Sequence, residues 1–169
     1  MTFQELADRA HLVEDKVVVS LLSMRPDYRQ VKHDDRKNKG FDLEFERDGR
    51  DNLKIEVKED LLYSKTGNVA VEYRSRGKDS GITTTESEWW IYVLGDEYYI
   101  CSVQSLRYLC KNHSRKVIGG DVVTGCTGEQ QCSSDLYLIK VDVFKSICSK
   151  LPKYDDVIQE QFDKLYDVA

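Results

Sequence analysis

Asp42, Glu56 and Lys58 combine residue types and a spacing that suit electrostatic and acid–base chemistry. Apolar and charged residues alternate strictly over residues 53–58, which is the two-residue period of a β-strand. Glu56 and Lys58 therefore share one face of that strand. The charged turn at residues 47–52 contains the pair Asp48-Gly49, which predicts a hairpin that brings Asp42 alongside Glu56.

A cation would allow two such carboxylates to lie close together, because their charges otherwise repel. Carboxylate oxygens suit Mg²⁺ or Mn²⁺. A neighbouring lysine can orient or deprotonate a water molecule, or neutralise a phosphate. Together these groups predict metal-assisted hydrolysis of a phosphodiester. From the spacing alone, the simpler interpretation is a solvated hairpin face with a cross-strand charge pair.

Asp42 and the triplet Glu56-Val57-Lys58 resemble the motif of the PD-(D/E)XK nuclease superfamily, which includes restriction endonucleases, Holliday-junction resolvases and recombination exonucleases. In that motif, an Asp at a strand start precedes a hydrophobic strand that carries (D/E)-x-K. Phe41 stands where the superfamily has proline. The resemblance covers residues 5–95. It implies that Asp42, Glu56 and the Val57 carbonyl hold Mg²⁺ or Mn²⁺, while Lys58 positions or activates the attacking water.

Two further glutamates enter the expected site through the same resemblance. Many members carry a Glu on the helix before the motif, and Glu14 fits that position as another metal-binding carboxylate. The alternative for Glu14 is a plain surface charge. Residues 67–72, followed by Ser80-Gly81-Ile82, resemble a phage-type subgroup and imply a catalytic role for Glu72. The alternative for Glu72 is a surface charge on a strand.

The surrounding pattern predicts an α/β fold with a mixed β-sheet flanked by helices, and the resemblance implies a restriction-endonuclease-like core. Apolar spacing predicts a helix over residues 3–24, and the apolar run at 89–94 predicts a strand buried on both faces. Further strands are expected at 28–33, 41–45, 68–73, 98–103 and 136–141, and further helices at 83–88, 105–112 and 142–151. One nuclease-like domain is expected over residues 1–169, with a loop insertion at 114–134, for which a loose hairpin is the alternative, and a C-terminal helix at 153–169.

The charge of the chain is unevenly distributed. The net charge of −5 argues mildly against a nucleic-acid-binding protein. Residues 25–78, however, contain 14 basic and 12 acidic side chains and carry a local charge of +2. DNA binding would therefore be local, salt-sensitive and metal-dependent. The candidate phosphate contacts are Lys65, Arg74, Arg76 and Lys78, with solvated surface charge as the alternative.

The sequence carries no apolar run of membrane-spanning length, and its N-terminus lacks the regions of a signal peptide. We therefore expect no membrane partner and a cytoplasmic, intracellular location, in the host cytoplasm if the source is viral. The five cysteines are odd in number and form no C-x-x-C pair, which favours reduced thiols. A zinc site at Cys126 and Cys132 is the alternative, although no histidine pair accompanies it.

The expected function is Mg²⁺-dependent cleavage of DNA phosphodiester bonds by an endonuclease or junction resolvase, either structure-selective or nonspecific. No sequence-reading element, such as a helix-turn-helix or a zinc finger, is visible in the sequence. A homodimer would favour the resolvase. The competing classes are a non-catalytic module on the same fold that binds nucleic acid or protein, and an inhibitor or decoy with an acidic face. A binding module has no need of the Asp42, Glu56 and Lys58 set.

Overall fold

The structure is a computed structural model that describes residues 3–31, 40–122 and 133–158. Its helices are α1 (Phe3–Met24), α2 (Tyr63–Thr66), α3 (Val103–Asn112) and α4 (Val141–Ile147), with a 3₁₀ turn at Gly81–Thr83 and helical backbone at residues 154–158. Its strands are β1 (Arg29–Val31), β2 (Leu43–Arg47), β3 (Arg50–Glu59), β4 (Asn68–Ser75), β5 (Lys78–Asp79), β6 (Trp89–Leu94), β7 (Glu97–Ser102), β8 (Ser114–Val122), β9 (Ser133–Lys140) and β10 (Ser149–Leu151).

The strands of the described residues form two sheets. The large sheet has the order β1-β2-β3-β6-β7-β10, and the small sheet has the order β5-β4-β9-β8. The pairs are antiparallel except for β3 and β6, which run parallel and make the large sheet mixed. A parallel pair needs a long crossover, and the crossover from β3 to β6 also supplies β4 and β5 of the small sheet.

Helix α1 covers one face of the large sheet. Its apolar stripe, which includes Val17 and Leu21, packs on the apolar side of β3 and β6. The Arg9 guanidinium donates to both carboxylate oxygens of Glu59, at 2.5 and 2.6 Å, and such a two-pronged pair fixes geometry. The helix is therefore anchored to the end of the strand that carries the E-x-K triplet.

The other face of β6 is buried as well. Trp90, Tyr92 and Leu94 pack with α3, α4 and β4, whereas Ile91 and Val93 pack on the side of α1. This confirms the prediction that the continuous apolar run forms a strand buried on both faces. Trp90 is 1% exposed, so its indole ring is part of the core.

Two side chains hold the small sheet over the large one. The Tyr92 hydroxyl on β6 donates to the Ala70 carbonyl on β4 at 3.2 Å. The Asp60 carboxylate, directly after β3, accepts the Ala70 N–H with one oxygen and the Leu62 N–H with the other, both at 2.9 Å. Strand β4 therefore faces the charged side of β3, with a cleft between the two sheets.

The structure confirms the first helix, the β2–β3 hairpin, the meander of β1 to β3, and the strands β6 and β7. The expected loop at 114–134 is wrong and the hairpin alternative agrees with the structure, because this stretch contains β8 and the start of β9, which pair antiparallel. Residues 123–132 of it lie outside the described residues. Strand β8 has a weak strand pattern of its own, and it is stabilised by pairing with β9.

Two expected helices also differ from the structure. Instead of a helix at 83–88, a 3₁₀ turn ends at Thr83, and residues 85–88 are not helical. The expected helix at 142–151 ends at Ile147, and β10 follows because it pairs with the edge of β7 and buries Leu151. Of the expected C-terminal helix at 153–169, residues 154–158 are helical and 159–169 lie outside the described residues.

None of the helices in the described part of the chain has both the length and the apolar character that crossing a bilayer requires.

Candidate active site

The β2–β3 hairpin brings Asp42 next to the E-x-K triplet. Asp42 precedes β2, and its N–H donates to the Ile55 carbonyl at 2.9 Å. Its Oδ2 accepts the Val57 N–H at 2.7 Å. The N–H and C=O of a strand residue point to the same neighbour, so the Val57 carbonyl also faces Asp42, beyond the first residue of β2. A carboxylate and a backbone carbonyl are thus presented together beside Glu56.

Glu56 and Lys58 lie on the side of β3 that faces the small sheet. The Lys58 ammonium is 2.5 Å from Glu56 Oε1, and the Glu56 side chain is only 14% exposed. The same ammonium lies 5.8 Å from the centre of the Trp90 ring. Lys58 is therefore held over the aromatic floor of the cleft, in contact with a largely enclosed carboxylate.

Glu14 approaches from α1. Its Oε2 lies 3.3 Å from Nδ1 of His11, one helical turn earlier. Glu14, Val57 and Lys58 line one small cavity of about 240 Å³. Burial, followed by the negative charge of Asp42, raises the pKa of Glu14, so the two carboxylates are electrostatic neighbours. Glu14 therefore joins the site on the side of Asp42.

Glu72 reaches the site from the small sheet. Its carboxylate accepts a hydrogen bond from the Ser80 hydroxyl at 2.7 Å and another from the Ser134 hydroxyl. The pairing of β4 with β9 shifts register directly after Glu72, and bulges of this kind redirect side chains beside functional sites. Two serines and a bulge thus set the direction of this carboxylate.

The 3₁₀ turn packs its backbone directly against β4. Gly81 has a φ of +50°, and a Cβ added there would lie 2.3 Å from the carbonyl oxygen of Glu72. Only glycine permits both this conformation and this approach. The turn therefore supports the backbone from which the Glu72 carboxylate extends.

Burial and charge shape the protonation of the group. Burial raises the pKa of Glu56, Lys58 opposes that rise, and the charges of Asp42 and Glu72 add to it, with a net increase. Burial lowers the pKa of Lys58, but the charges of Glu56 and Asp42 outweigh burial and raise it. Lys58 is therefore protonated at neutral pH. The carboxylates around it, with Glu14 included, outnumber its single positive charge.

The cleft between the two sheets has a volume of about 480 Å³. One wall carries Glu56 and Lys58, the opposite wall is formed by the facing side of β4 and β9, and Trp90 and Tyr92 form the floor. The rim carries small and hydroxyl-bearing residues, among them Gly40, Thr66, Ser80, Gly81, Thr84 and Thr85.

The predicted phosphate contacts lie beside the cleft and do not line it. Lys65 is exposed on α2, where the neighbouring residues Leu62 and Thr66 belong to the lining. Three more cations are exposed on the β4–β5 hairpin after Glu72: Arg74, Arg76 and Lys78. Arg74 Nε lies 3.9 Å from Asp79 Oδ1, and Arg76 occupies the hairpin turn with a φ of +52°. These cations flank the two ends of β4.

Within residues 3–31, 40–122 and 133–158, no group of three or more His, Cys, Asp or Glu side chains is arranged to hold a metal ion. Mg²⁺ does not need such a group, because it commonly binds one or two protein carboxylates together with water and substrate phosphates. Cys101, Cys110 and Cys148 are free thiols. Cys126 and Cys132, the candidate zinc ligands, lie outside the described residues.

Three residues that position the site were missed in the sequence. Asp60 follows Lys58 at the two-residue strand period, so its place on the same face could have been found. Ser80 is a candidate N-cap for the expected helix at 83–88, whereas in the structure its hydroxyl donates to the Glu72 carboxylate. Ser134 carries no local signal, because 62 residues separate it from the Glu72 carboxylate that it contacts.

No protein-family model matches this chain, and searches of curated proteins and of solved structures found no match either. The fold and the site define a class of protein only: an α/β protein with a mixed sheet and a partly buried acidic cluster around Lys58.

Proposed function

We propose that this protein is a divalent-metal-dependent nuclease that hydrolyses DNA phosphodiester bonds. The observation that carries the proposal is the convergence of four carboxylates on Lys58: Glu56 and Glu72 line the cleft with it, Glu14 shares the smaller cavity with it, and Asp42 lies beside Val57. Burial and neighbouring negative charge raise the pKa of Glu14 and Glu56, which destabilises the fold, and carboxylates perturbed in this way are typical of a functional site.

The donor set suits Mg²⁺ or Mn²⁺. Asp42, Glu56 and the Val57 carbonyl would supply hard oxygen ligands, with Glu14 joining from α1. A bound metal ion would stabilise negative charge on the phosphoryl oxygens and lower the pKa of a coordinated water. Its positive charge would also offset the burial and the neighbouring negative charge that raise the pKa of Glu14 and Glu56.

Lys58 acts in this proposal as a cation. Because its raised pKa keeps it protonated, it donates hydrogen bonds to the attacking water or to phosphoryl oxygens, and Glu56 fixes its position. The water oxygen bonds to phosphorus, one P–O ester bond breaks, and the two water protons end on the released hydroxyl and the new phosphate. Loss of one such preorganised donor lowers rates by about 10²–10³-fold.

A restriction-endonuclease-like core is part of the proposal. The mixed large sheet, flanked by α1 on one face, is compatible with that core. The motif Asp42 directly precedes β2, and Glu56 and Lys58 lie on the next strand of the hairpin. These placements support an assignment to the PD-(D/E)XK superfamily.

The test is DNA cleavage by the wild type and by the variants Lys58→Met and Glu56→Gln. Single-stranded, duplex and branched DNA are incubated with Mg²⁺, Mn²⁺ or EDTA. We expect cleavage only in the presence of metal, and a loss of about 10²–10³-fold in each variant. Circular dichroism and the melting temperature show whether the variants remain folded.

Lys54→Met is the matched control, because Lys54 lies on β3 at the same two-residue spacing but donates to Glu86 at 3.1 Å and does not line the cleft. This variant should cleave DNA at the wild-type rate. If the wild type binds DNA and cleaves none with either metal, the non-catalytic binding module replaces the nuclease. Full activity of Lys58→Met would refute the role given to the lysine.

A further inference from the structure

Apart from Glu72 and Asn68, the wall of the cleft that faces the charged side of β3 is apolar. On β9, Leu136 pairs with Glu72 and Leu138 pairs with Ala70, and Val117 on β8 pairs with Leu136. Residues directly opposite in an antiparallel pair share one sheet face, and all five line the cleft. The two leucines are only partly buried, so their apolar surface is open to the cleft. A charged phosphodiester would gain little from such a wall, whereas the flat face of a nucleobase would.

The cleft has room for a nucleotide and not for a double helix. Its volume of about 480 Å³ falls within the range of about 300–1,000 Å³ that is common for small-molecule sites. The enclosed Glu56 carboxylate lies between the two sheets, so a phosphate has to enter the cleft to reach it. In a duplex, the nucleotide that carries this phosphate would first have to leave the base stack.

Two basic side chains lie next to the apolar residues on the cleft face of the small sheet. Arg115 on β8 pairs with Leu138, and Lys140 on β9 pairs with Asn68, so their register places both on the cleft face of the small sheet. Both are exposed. If one base of an extended DNA strand lies in the cleft, the phosphates on either side of it would lie near these two cations. Proteins bind single strands with surfaces that contact the bases and are bordered by positive charge.

We infer that the cleft binds one unstacked nucleobase of single-stranded DNA against Leu136 and Leu138, with the adjoining phosphate at Glu56 and Lys58. This inference rests on the proposed nuclease function and narrows its substrate to single strands and to the unpaired arms of branched DNA. Closed duplex is a poor substrate, since each nucleotide must be extruded before its phosphate reaches the carboxylates.

The first arm of the test measures base binding. A short single strand carries 2-aminopurine, whose fluorescence reports the surroundings of the base, and is titrated in Ca²⁺ with protein; fluorescence anisotropy shows when binding is complete. Leu138→Trp fills the cleft from its apolar wall. The matched control is Ile118→Trp, at an 83% exposed residue of β8 outside the lining. We expect the 2-aminopurine signal to change with wild type and control, and to change about tenfold less with Leu138→Trp.

The second arm measures cleavage of one sequence as a single strand, as a fork with unpaired arms and as a closed duplex, in Mg²⁺ and in Mn²⁺. Single strand and fork should be cut at least about tenfold faster than duplex, and Leu138→Trp should slow their cleavage by about tenfold. If Leu138→Trp melts early, the double change Leu136→Ala with Leu138→Ala removes the wall by truncation, and the same losses are expected.

The two arms separate failure of this inference from failure of the nuclease proposal. If no DNA is cut with either metal but the 2-aminopurine change persists and is lost in Leu138→Trp, the base site stands and the nuclease proposal falls. If duplex is cut as fast as single strand and the variant cuts at the wild-type rate, the base site is overturned and the nuclease stands. A wild type that leaves 2-aminopurine unchanged at saturating protein also overturns the base site.

Discussion

Replacement of Gly81 by alanine tests whether the 3₁₀ turn sets the position of Glu72. The φ of +50° at Gly81 costs a residue with a Cβ about 1–2 kcal/mol. The added Cβ would lie 2.3 Å from the Glu72 carbonyl oxygen, whereas real contacts of this kind essentially never fall under 3.0 Å. The turn or the strand must therefore move by roughly 0.7 Å, and overpacking of this kind costs about 1–3 kcal/mol more. We expect Gly81→Ala to lose about 2–5 kcal/mol of unfolding free energy.

The assays are urea unfolding followed by circular dichroism, and cleavage of single-stranded DNA in Mg²⁺. A misplacement of about 1 Å near a reacting group can lower a rate about 10²-fold, so we expect Gly81→Ala to cut about 10- to 100-fold more slowly although every charged side chain is kept. Gly49→Ala is the matched control. Gly49 has a φ of +68°, and an added Cβ there meets no atom of the described residues within 4 Å. This control should lose about 1–2 kcal/mol and cleave DNA at the wild-type rate.

Equal destabilisation by the two glycine variants would refute the close approach of the turn to β4. A second result would refute the functional part of the reasoning: Gly81→Ala could be clearly less stable than Gly49→Ala and still cleave DNA at the wild-type rate. In that case the position of Glu72 would not matter for the reaction.

Two further predictions concern charges at the cleft. Folding raises the pKa of Glu14 above its ordinary 4.5. The protonated carboxyl group therefore contributes its full stability below pH 4.5, and this contribution is lost as the pH rises through the pKa of Glu14 in the folded protein. In EDTA, the unfolding free energy of Glu14→Gln minus that of the wild type should therefore increase as the pH rises above 4.5. Mg²⁺ should reduce this difference. A difference that does not change with pH would contradict the prediction. Asp60→Asn should lose about 2–3 kcal/mol in urea unfolding, because a charged acceptor of two backbone N–H groups is removed. The exposed Asp79→Asn serves as its control, and equal stability of the two variants would refute the bridging role of Asp60.

The part of the candidate site that lies on one hairpin could be predicted from local patterns. Alternation over residues 53–58 places Glu56 and Lys58 on one strand face, and the Asp48-Gly49 turn returns the chain so that Asp42 meets Val57. These relations hold within a few residues of a tight turn, where connectivity and side-chain period determine geometry. The burial of strand β6 on both faces could also be predicted from the sequence, because a continuous apolar run has to be covered on both faces.

Only the tertiary structure decided that a second sheet covers this hairpin and forms a cleft. Glu72 faces the lysine because β4 pairs with β9 and is held to β3 and β6 by Asp60 and Tyr92. The strand β8, with its weak pattern, exists because β9 satisfies its backbone groups. Ser134 contacts a carboxylate 62 residues away in the chain. Strand pairing over such distances depends on which surfaces remain unpaired once the local elements have formed, and no local pattern of residues carries that information.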